Sequence, residues 1–264
     1  MSRRLLAVSV SAAAVVLHAG PAVTALPPVR RHLPALNGAG RPGTVALTLD
    51  DGPDPRSTPH FLRSLARLGI PATFFVLGGM AARSPGLLRR IHEEGHEIGV
   101  HGWTHRSHLR MSPGRVHGEL ARTAELILGA CGAPPRWFRP PYGVLSAGSL
   151  VAAARLGLRP VLWSAWGRDW EAGATTATVL AHLRAGGIRG GATLLLHDSD
   201  CAAVPGSWGS ALGALTSIVG DGERQGLRFA RMSDHLRWGE RRPGVPDAGP
   251  PPGTAAKVTS ADRG

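Results

Sequence analysis

Between Thr44 and Trp238 short apolar runs alternate with stretches in which apolar residues recur at helical spacing. Val45–Leu49 is an apolar-rich run closed by two acids, and Pro59–Leu68 follows with Phe61, Leu62, Leu65 and Leu68 on one helical face. A strand-like Ala72–Leu77, a helix over Gly86–Glu94 and a short strand at Glu97–Val100 come next. Pro113–Ala130 reads as helix, Arg136–Phe138 as strand, Leu145–Leu156 as helix and Arg159–Trp163 as strand. Thr176–Ala185 is helical, Ala192–Leu196 a fully apolar strand, Ser207–Arg224 a helix and Leu227–Ala230 a last strand. This alternation amounts to roughly seven β–α units, which implies an α/β domain over residues 44–238. The expected sheet is parallel with covering helices, either closed into a barrel or doubly wound.

The flanks lack this pattern. Met1-Ser2-Arg3-Arg4, the small and apolar run Leu5–Leu17 and the Val23-Thr24-Ala25 site have the parts of a secretory signal, so residues 1–25 are expected to be a signal peptide cut after Ala25. An uncleaved signal anchor is the alternative, although the run is short for a membrane span. Residues 26–43 are rich in Pro, Arg and Gly and read as a linker, and residues 239–264 read as a disordered tail.

Composition adds less. A net charge of +12 first suggests an anionic partner, but 30 basic residues include one Lys, Lys257, and the arginines are scattered. No aromatic-interleaved basic motif is present, so nucleic acid is not the expected partner. Cys131 and Cys201 match no metal-binding spacing; they either pair in an oxidising compartment or stay as two free thiols.

The chemistry gathers where the expected strands end. Asp50 and Asp51 close the first strand inside Thr48-Leu49-Asp50-Asp51-Gly52-Pro53-Asp54-Pro55. Turn formation accounts for Gly52–Pro55, Asp54 included, but not for two successive acids at the end of a buried strand. His101-Gly102-Trp103-Thr104-His105 follows the Glu97–Val100 strand. If a helix begins there, the i, i+4 histidines face one way and can share a cation, with His108 a weaker candidate one step further on. His92 and His96 are expected at the surface. Two His and one Asp leave positions open for water and substrate. Arg139 of Arg139-Pro140-Pro141-Tyr142-Gly143 can hold a carboxylate by a bidentate contact, or be a solvated residue of a proline turn. Asp169-Trp170 and Leu194-Leu195-Leu196-His197-Asp198 complete the set; a His ending an apolar strand calls for an acid partner that raises its pKa.

These five segments, in this order, resemble the polysaccharide deacetylases with the NodB-homology domain, carbohydrate esterase family four. The resemblance implies a distorted (β/α) barrel over residues 44–238 with its site at the strand C-termini. It implies that Asp50 is the general base held by Arg139, and that Asp51, His101 and His105 bind one divalent metal. Zinc suits that ligand set best, with cobalt, nickel or manganese as alternatives. It further implies that the Tyr142 N–H helps bind the oxyanion, that Asp169 orients the general acid His197, and that Trp170 lines the acetyl pocket. Leu195 joins that pocket by period-2 alternation with His197. The chain departs from the family pattern at Gly102, Arg106 and Trp166, where the family carries Ser or Thr, Pro and Asp. The expected activity is N-deacetylation of an N-acetylglucosamine-type polysaccharide such as peptidoglycan or chitin, secreted or at the cell wall. An O-acetyl esterase with the same machinery and a non-catalytic carbohydrate-binding wall protein are the rivals.

Overall fold

The computed structural model describes residues 15–236. The n-region and most of the apolar run of the expected signal, and all of the expected C-terminal tail, lie outside the described residues. No helix among the described residues is long and apolar enough to cross a membrane.

Eight short strands form one all-parallel sheet: β1 Thr44–Asp50, β2 Thr73–Leu77, β3 Glu97–Gly102, β4 Trp137–Phe138, β5 Arg159–Pro160, β6 Ala165–Trp166, β7 Thr193–His197 and β8 Arg228–Phe229. Their order is β5-β4-β3-β2-β1-β7-β6, with β8 paired to the start of β1. The sheet curls into a distorted barrel left open between β5 and β6, which are not paired among the described residues. The α-helices longer than one turn are α1 Thr58–Leu68, α2 Gly78–Arg83, α3 Pro85–Glu93, α4 Pro113–Cys131, α5 Ala147–Arg155, α6 Thr176–Gly186 and α7 Trp208–Glu223. Each expected β–α unit is present, while α2 and the two-residue β6 were not foreseen.

Period-2 alternation sorts the strands into two faces. Val45, Leu47 and Leu49 of β1, Phe74 and Val76 of β2, Ile98 and Val100 of β3, and Leu194 and Leu196 of β7 join the core under the helices. There they meet Phe61, Leu62 and Leu65 of α1 and Val116, Leu120 and Ile127 of α4. The opposite face fills the barrel with Ala46, Phe75, Trp137, Val161 and Met232 in one cluster and Leu162, Trp163 and Leu195 in another. Helix ends follow their sequence signals. Ser146–Ser149 and Thr175–Thr178 form capping boxes on α5 and α6, and Gly69 and Gly132 end α1 and α4 in the left-handed conformation.

Residues 26–43 are not a free linker. Pro27–Arg30 forms a helical turn, and the segment then straps across the barrel. Leu162 N–H donates to Leu36 O at 2.7 Å, Thr193 Oγ1 to Gly38 O at 2.7 Å, Gly40 N–H to Gly191 O at 3.0 Å, and Arg41 N–H to His235 O at 3.0 Å. Arg30 is buried with its guanidinium 4.8 Å from the Trp163 ring centroid. A strap held by backbone bonds and single side chains has no amphipathic period to betray it. Starting the chain at Thr44 should therefore lower the thermal unfolding midpoint by about 5 °C or more, read by circular dichroism. An unchanged midpoint would restore the linker reading.

Candidate active site

Asp50 is the inward-facing end of β1, and its Oδ1 takes a 2.7 Å hydrogen bond from Arg139 Nη1. Arg139 is wholly buried behind it. Nη1 also donates to Thr48 Oγ1 at 2.8 Å, Nη2 to Leu162 O at 2.8 Å and Nε to Val161 O at 3.3 Å, with the Phe75 ring 4.0 Å away. One guanidinium N–H, not a bidentate pair, therefore reaches Asp50, while the Thr48 hydroxyl and two backbone carbonyls take its other bonds. Burial lowers the Arg139 pKa, and the facing Asp50 charge opposes that.

Alternation would send Asp51 to the opposite face, toward the helices. A left-handed backbone, φ 83°, turns it back into the cleft. Asp51 N–H bonds Phe75 O, Leu77 N–H bonds Gly52 O, and Gly52 N–H bonds Asp198 Oδ1 at 3.1 Å, so the turn is fixed at both sides. His101 lies inward on β3, its Nδ1 2.8 Å from Arg139 O, which leaves Nε2 free toward Asp51 Oδ1 at 3.3 Å. His105 Nε2 is 3.4 Å from the same oxygen. No helix carries this pair. His101 ends a strand, Gly102 turns the chain at φ 113°, and Thr104, held to Glu119 by both its N–H and its hydroxyl, brings His105 back over the cleft.

The three ligand atoms lie within 4.8 Å of one another. Asp51 Oδ1 is buried without a hydrogen-bond partner, which is the condition of an oxygen kept for a cation. Two imidazoles and a carboxylate with open space beside them suit a divalent metal. Burial alone would raise the Asp51 pKa, but the His101 contact and the charges of His197, His101 and His105 hold it down at about 2. Burial pushes His105 down to about 4, so it is neutral and free to ligate at neutral pH.

Across the cleft His197 ends β7. Its Nδ1 lies 3.0 Å from Asp169 Oδ1, and its backbone N–H donates to Asp169 Oδ2 at 2.8 Å. Burial by itself would lower the His197 pKa, yet the Asp169 charge and hydrogen bond, helped by Asp51 and Asp50, carry it up to about 10. Asp50, Asp51, His101, His105, Tyr142, Trp163, Trp166, Trp170, Leu195 and His197 line one cleft of about 200 Å³. That is smaller than the roughly 300–1,000 Å³ of a site for a whole small molecule, so one substituent of a larger substrate is what fits. Tyr142, with φ 60°, stands at its mouth, and Trp166 stacks between Trp163 and Trp170 at 5.6 and 4.8 Å.

Every site residue expected from the sequence is thus brought to this cleft or to a residue that lines it. Three side assignments need correction. His96 is buried, not at the surface, because its Nδ1 accepts the Ala72 N–H where β2 begins. His108 is buried against Phe138 with Nδ1 on Ser149 Oγ, and it is not among the three clustered ligands. Asp54 is more than a turn former, since it holds Arg56 and receives Ser199 Oγ. The two thiols, Cys131 and Cys201, are free.

Asp198 was missed as a site residue. It follows His197 but points away from it. Oδ1 accepts from Gly52 N–H, and Oδ2 receives a short hydrogen bond from Thr58 Oγ1, which itself accepts the Asp54 N–H. One carboxyl thus clamps both ends of the turn after Asp51. A Cβ at Gly52 would come within 2.2 Å of Asp198 Oδ2, so only Gly fits there. The adjacent His-Asp pair was the available signal, but it suggested a partner for the histidine.

A model of the polysaccharide deacetylase family matches residues 37–161. A chitooligosaccharide deacetylase of Bradyrhizobium sp. (strain ANU 289) is 42% identical over 171 residues, 64% of this chain and 76% of that protein. The peptidoglycan-N-acetylglucosamine deacetylase PgdA of Listeria monocytogenes is 38% identical over 157 residues, 58% of this chain but only 32% of its own length. In three dimensions the Bc1960 peptidoglycan N-acetylglucosamine deacetylase superposes with a TM-score of 0.70 at 29% identity, covering 78% of this chain and 93% of that one. Fold and site define a parallel α/β barrel with an acid–imidazole cluster at its strand ends. The chain belongs to the polysaccharide deacetylase family.

Burial pushes the Asp198 pKa up to about 7, against the Thr58 and Gly52 hydrogen bonds. A carboxyl with a raised folded pKa contributes stability that is complete below its unfolded value of about 3.9 and is lost as pH rises through 7. In metal-free protein Asp198→Asn, which mimics the neutral carboxyl, should unfold at a higher temperature than wild type at pH 9 and at about the same temperature at pH 5. Melting curves at the two pH values decide it; parallel behaviour would mean that Asp198 is not buried in its neutral form.

Proposed function

We propose that this protein is a metal-dependent deacetylase of an N-acetylglucosamine-type polysaccharide such as peptidoglycan or chitin. The observation that carries the reading is the placement of two separately partnered groups, Asp50 on Arg139 and His197 on Asp169, on one cleft with Asp51, His101 and His105. The names of the relatives, deacetylases of chitooligosaccharide and of peptidoglycan N-acetylglucosamine, agree with it.

Asp51, His101 and His105 would hold the metal, zinc being best suited to two imidazoles and a carboxylate. When bound it supplies Lewis acidity toward the acetyl carbonyl and a more acidic water. Asp50, held in place by Arg139, takes the proton of the attacking water. The backbone N–H of Tyr142 would donate to the developing oxyanion. His197, kept protonated by Asp169, gives its proton to the leaving amine, which departs poorly as an anion. Trp170 and Leu195 enclose the acetyl methyl and exclude water around it. The relatives' names, which specify N-acetylglucosamine, favour an N-acetyl substrate over an O-acetyl ester. The apolar run of residues 1–25 supports work outside the cytoplasm, on wall or secreted polymer.

Chelation should abolish acetate release and a divalent cation should restore it. His101→Ala should lose the metal, measured by elemental analysis, and harm all substrates alike. Full activity of verified metal-free protein would overturn the ligand assignment.

Asp50→Asn and His197→Ala should each keep the metal and slow turnover by ~100-fold or more. The His197→Ala loss should shrink on a phenyl acetate ester, whose leaving group departs without a proton. Histidine NMR on metal-free protein should find His197 still protonated at pH 8, and Asp169→Asn should lower its titration by about a unit or more. If His197→Ala lost metal, or the ring titrated at an ordinary imidazole value in wild type, the acid would have to be sought elsewhere.

A further inference from the structure

His105 and Tyr142 wall the cleft on one side, and the same two residues wall a second groove beyond it, lined further by Arg106, Ser107, Leu109, Arg110 and Val144. At about 570 Å³ this groove is larger than the 200 Å³ cleft. Its charge sets it apart. Elsewhere, the arginines that line the groove between α6 and α7, Arg184 and Arg224, lie against Asp221, and in the groove beside α3 Arg90 lies against Glu94 while Arg63 meets His60. Arg106 and Arg110 have no such neutralisation. Both are exposed, no acid lines their groove, and neither guanidinium has a hydrogen-bond or ion-pair partner among the described residues. The local backbone fixes their mounts, with Arg106 N–H on Thr104 O and Arg110 N–H on Ser107 O. Arg106 also stands where the resemblance to the family leads one to expect Pro.

We propose that this groove binds a carboxylate carried by the sugar next to the one being deacetylated. The inference rests on the deacetylase reading above. The catalytic cleft takes one substituent, and a polymer leaving it on this side crosses Tyr142, a residue 58% exposed whose aromatic ring can pack on a sugar. The neighbouring sugar then lies over the two arginines, and a guanidinium binds a carboxylate through paired N–H donors more specifically than a point charge does. Two unneutralised cations beside a neutral polymer would gain nothing; beside an acidic sugar they set both register and preference. The shared chemistry is a sugar carboxylate, either the lactyl-ether acid of a muramic-type residue or the acid of a uronic residue.

The test compares kcat/KM of the full chain on three oligosaccharides of equal length. One is all N-acetylglucosamine, one alternates it with a lactyl-ether sugar bearing a free carboxylate, and one alternates it with a uronic acid. Wild type should favour one carboxylated substrate by about fivefold or more at low salt, through KM, and the two acidic arms tell which source it is. Arg106→Ser/Arg110→Ser should erase that preference, as should raising the salt to about 0.5 M, while changing the neutral substrate little. Acetate release with no preference in wild type, or with the same preference in the double variant, overturns the groove assignment alone. No acetate from any of the three overturns the deacetylase reading and this proposal with it.

Discussion

Successive side chains of an extended strand point to opposite faces, so two adjacent carboxylates cannot enter one cavity unless the chain leaves the strand between them. The site depends on how that is done at Asp51. β1 is buried along its full length, which fixes Asp50 inward and leaves no freedom to shift register. The backbone then enters the left-handed region at Asp51, a conformation that a non-glycine residue holds only when its surroundings impose it. Here β2 imposes it through Phe75 and Leu77, and Asp198, the residue after β7, imposes it from the other side. Three neighbouring strands thus converge on one residue, and the two carboxylates end with separate partners: Arg139 for Asp50, the two imidazoles for Asp51.

The same arrangement gives the two proton-handling groups of the cleft separate partners, Arg139 for Asp50 and Asp169 for His197. Arg139 is wholly buried, gives two hydrogen bonds to carbonyls of the segment after β5 and one to the Thr48 hydroxyl, and among the described residues pairs with one acid, Asp50. His197 has Asp169 beneath it and two more carboxylates in view, so its proton is held tightly. Separation of protonation states by environment is how one cleft carries a base and an acid together.

Much of this was legible in the sequence, for reasons that can be stated. A parallel barrel puts its chemistry at strand C-termini, and each strand announces itself by a short apolar run, so Asp50, His101 and His197 could be placed by position, whereas the role expected of Arg139 came from the family resemblance. What escaped was structure held by contacts that are remote in sequence. The strap of residues 26–43 docks by backbone hydrogen bonds and has no apolar period. His96 is buried because it meets an N–H 24 residues away. The His101–His105 spacing suggested a helix, whereas the left-handed Gly102 and the Glu119 contact produce the same convergence in a loop. Asp198 was visible as an acid, but its partner, Gly52, lies 146 residues away.

The strap also bears on the chemistry, through one wall of the cleft. Arg30 lies over the Trp163 ring at 4.8 Å, and Leu162, next in the chain, is held to Leu36. Trp163 is packed so closely on Gly143 that a Cβ there would come within 2.6 Å of its ring. From Trp163 the rings run to Trp166 at 5.6 Å, to Trp170 at 4.8 Å and on to His197 at 5.7 Å, where the Trp170 ring meets the imidazole edge to face. A row of rings in contact resists lateral displacement because each has a neighbour on the side toward which it would move. His197 is thus positioned twice, by Asp169 through its nitrogen and by this aromatic row against its ring. The departure at Trp166 is the middle member of that row. An Asp at this place would leave Trp163 and Trp170 without the ring that bridges them, so the aromatic residue makes this wall a single apolar surface, while the wall behind Tyr142 carries the charge.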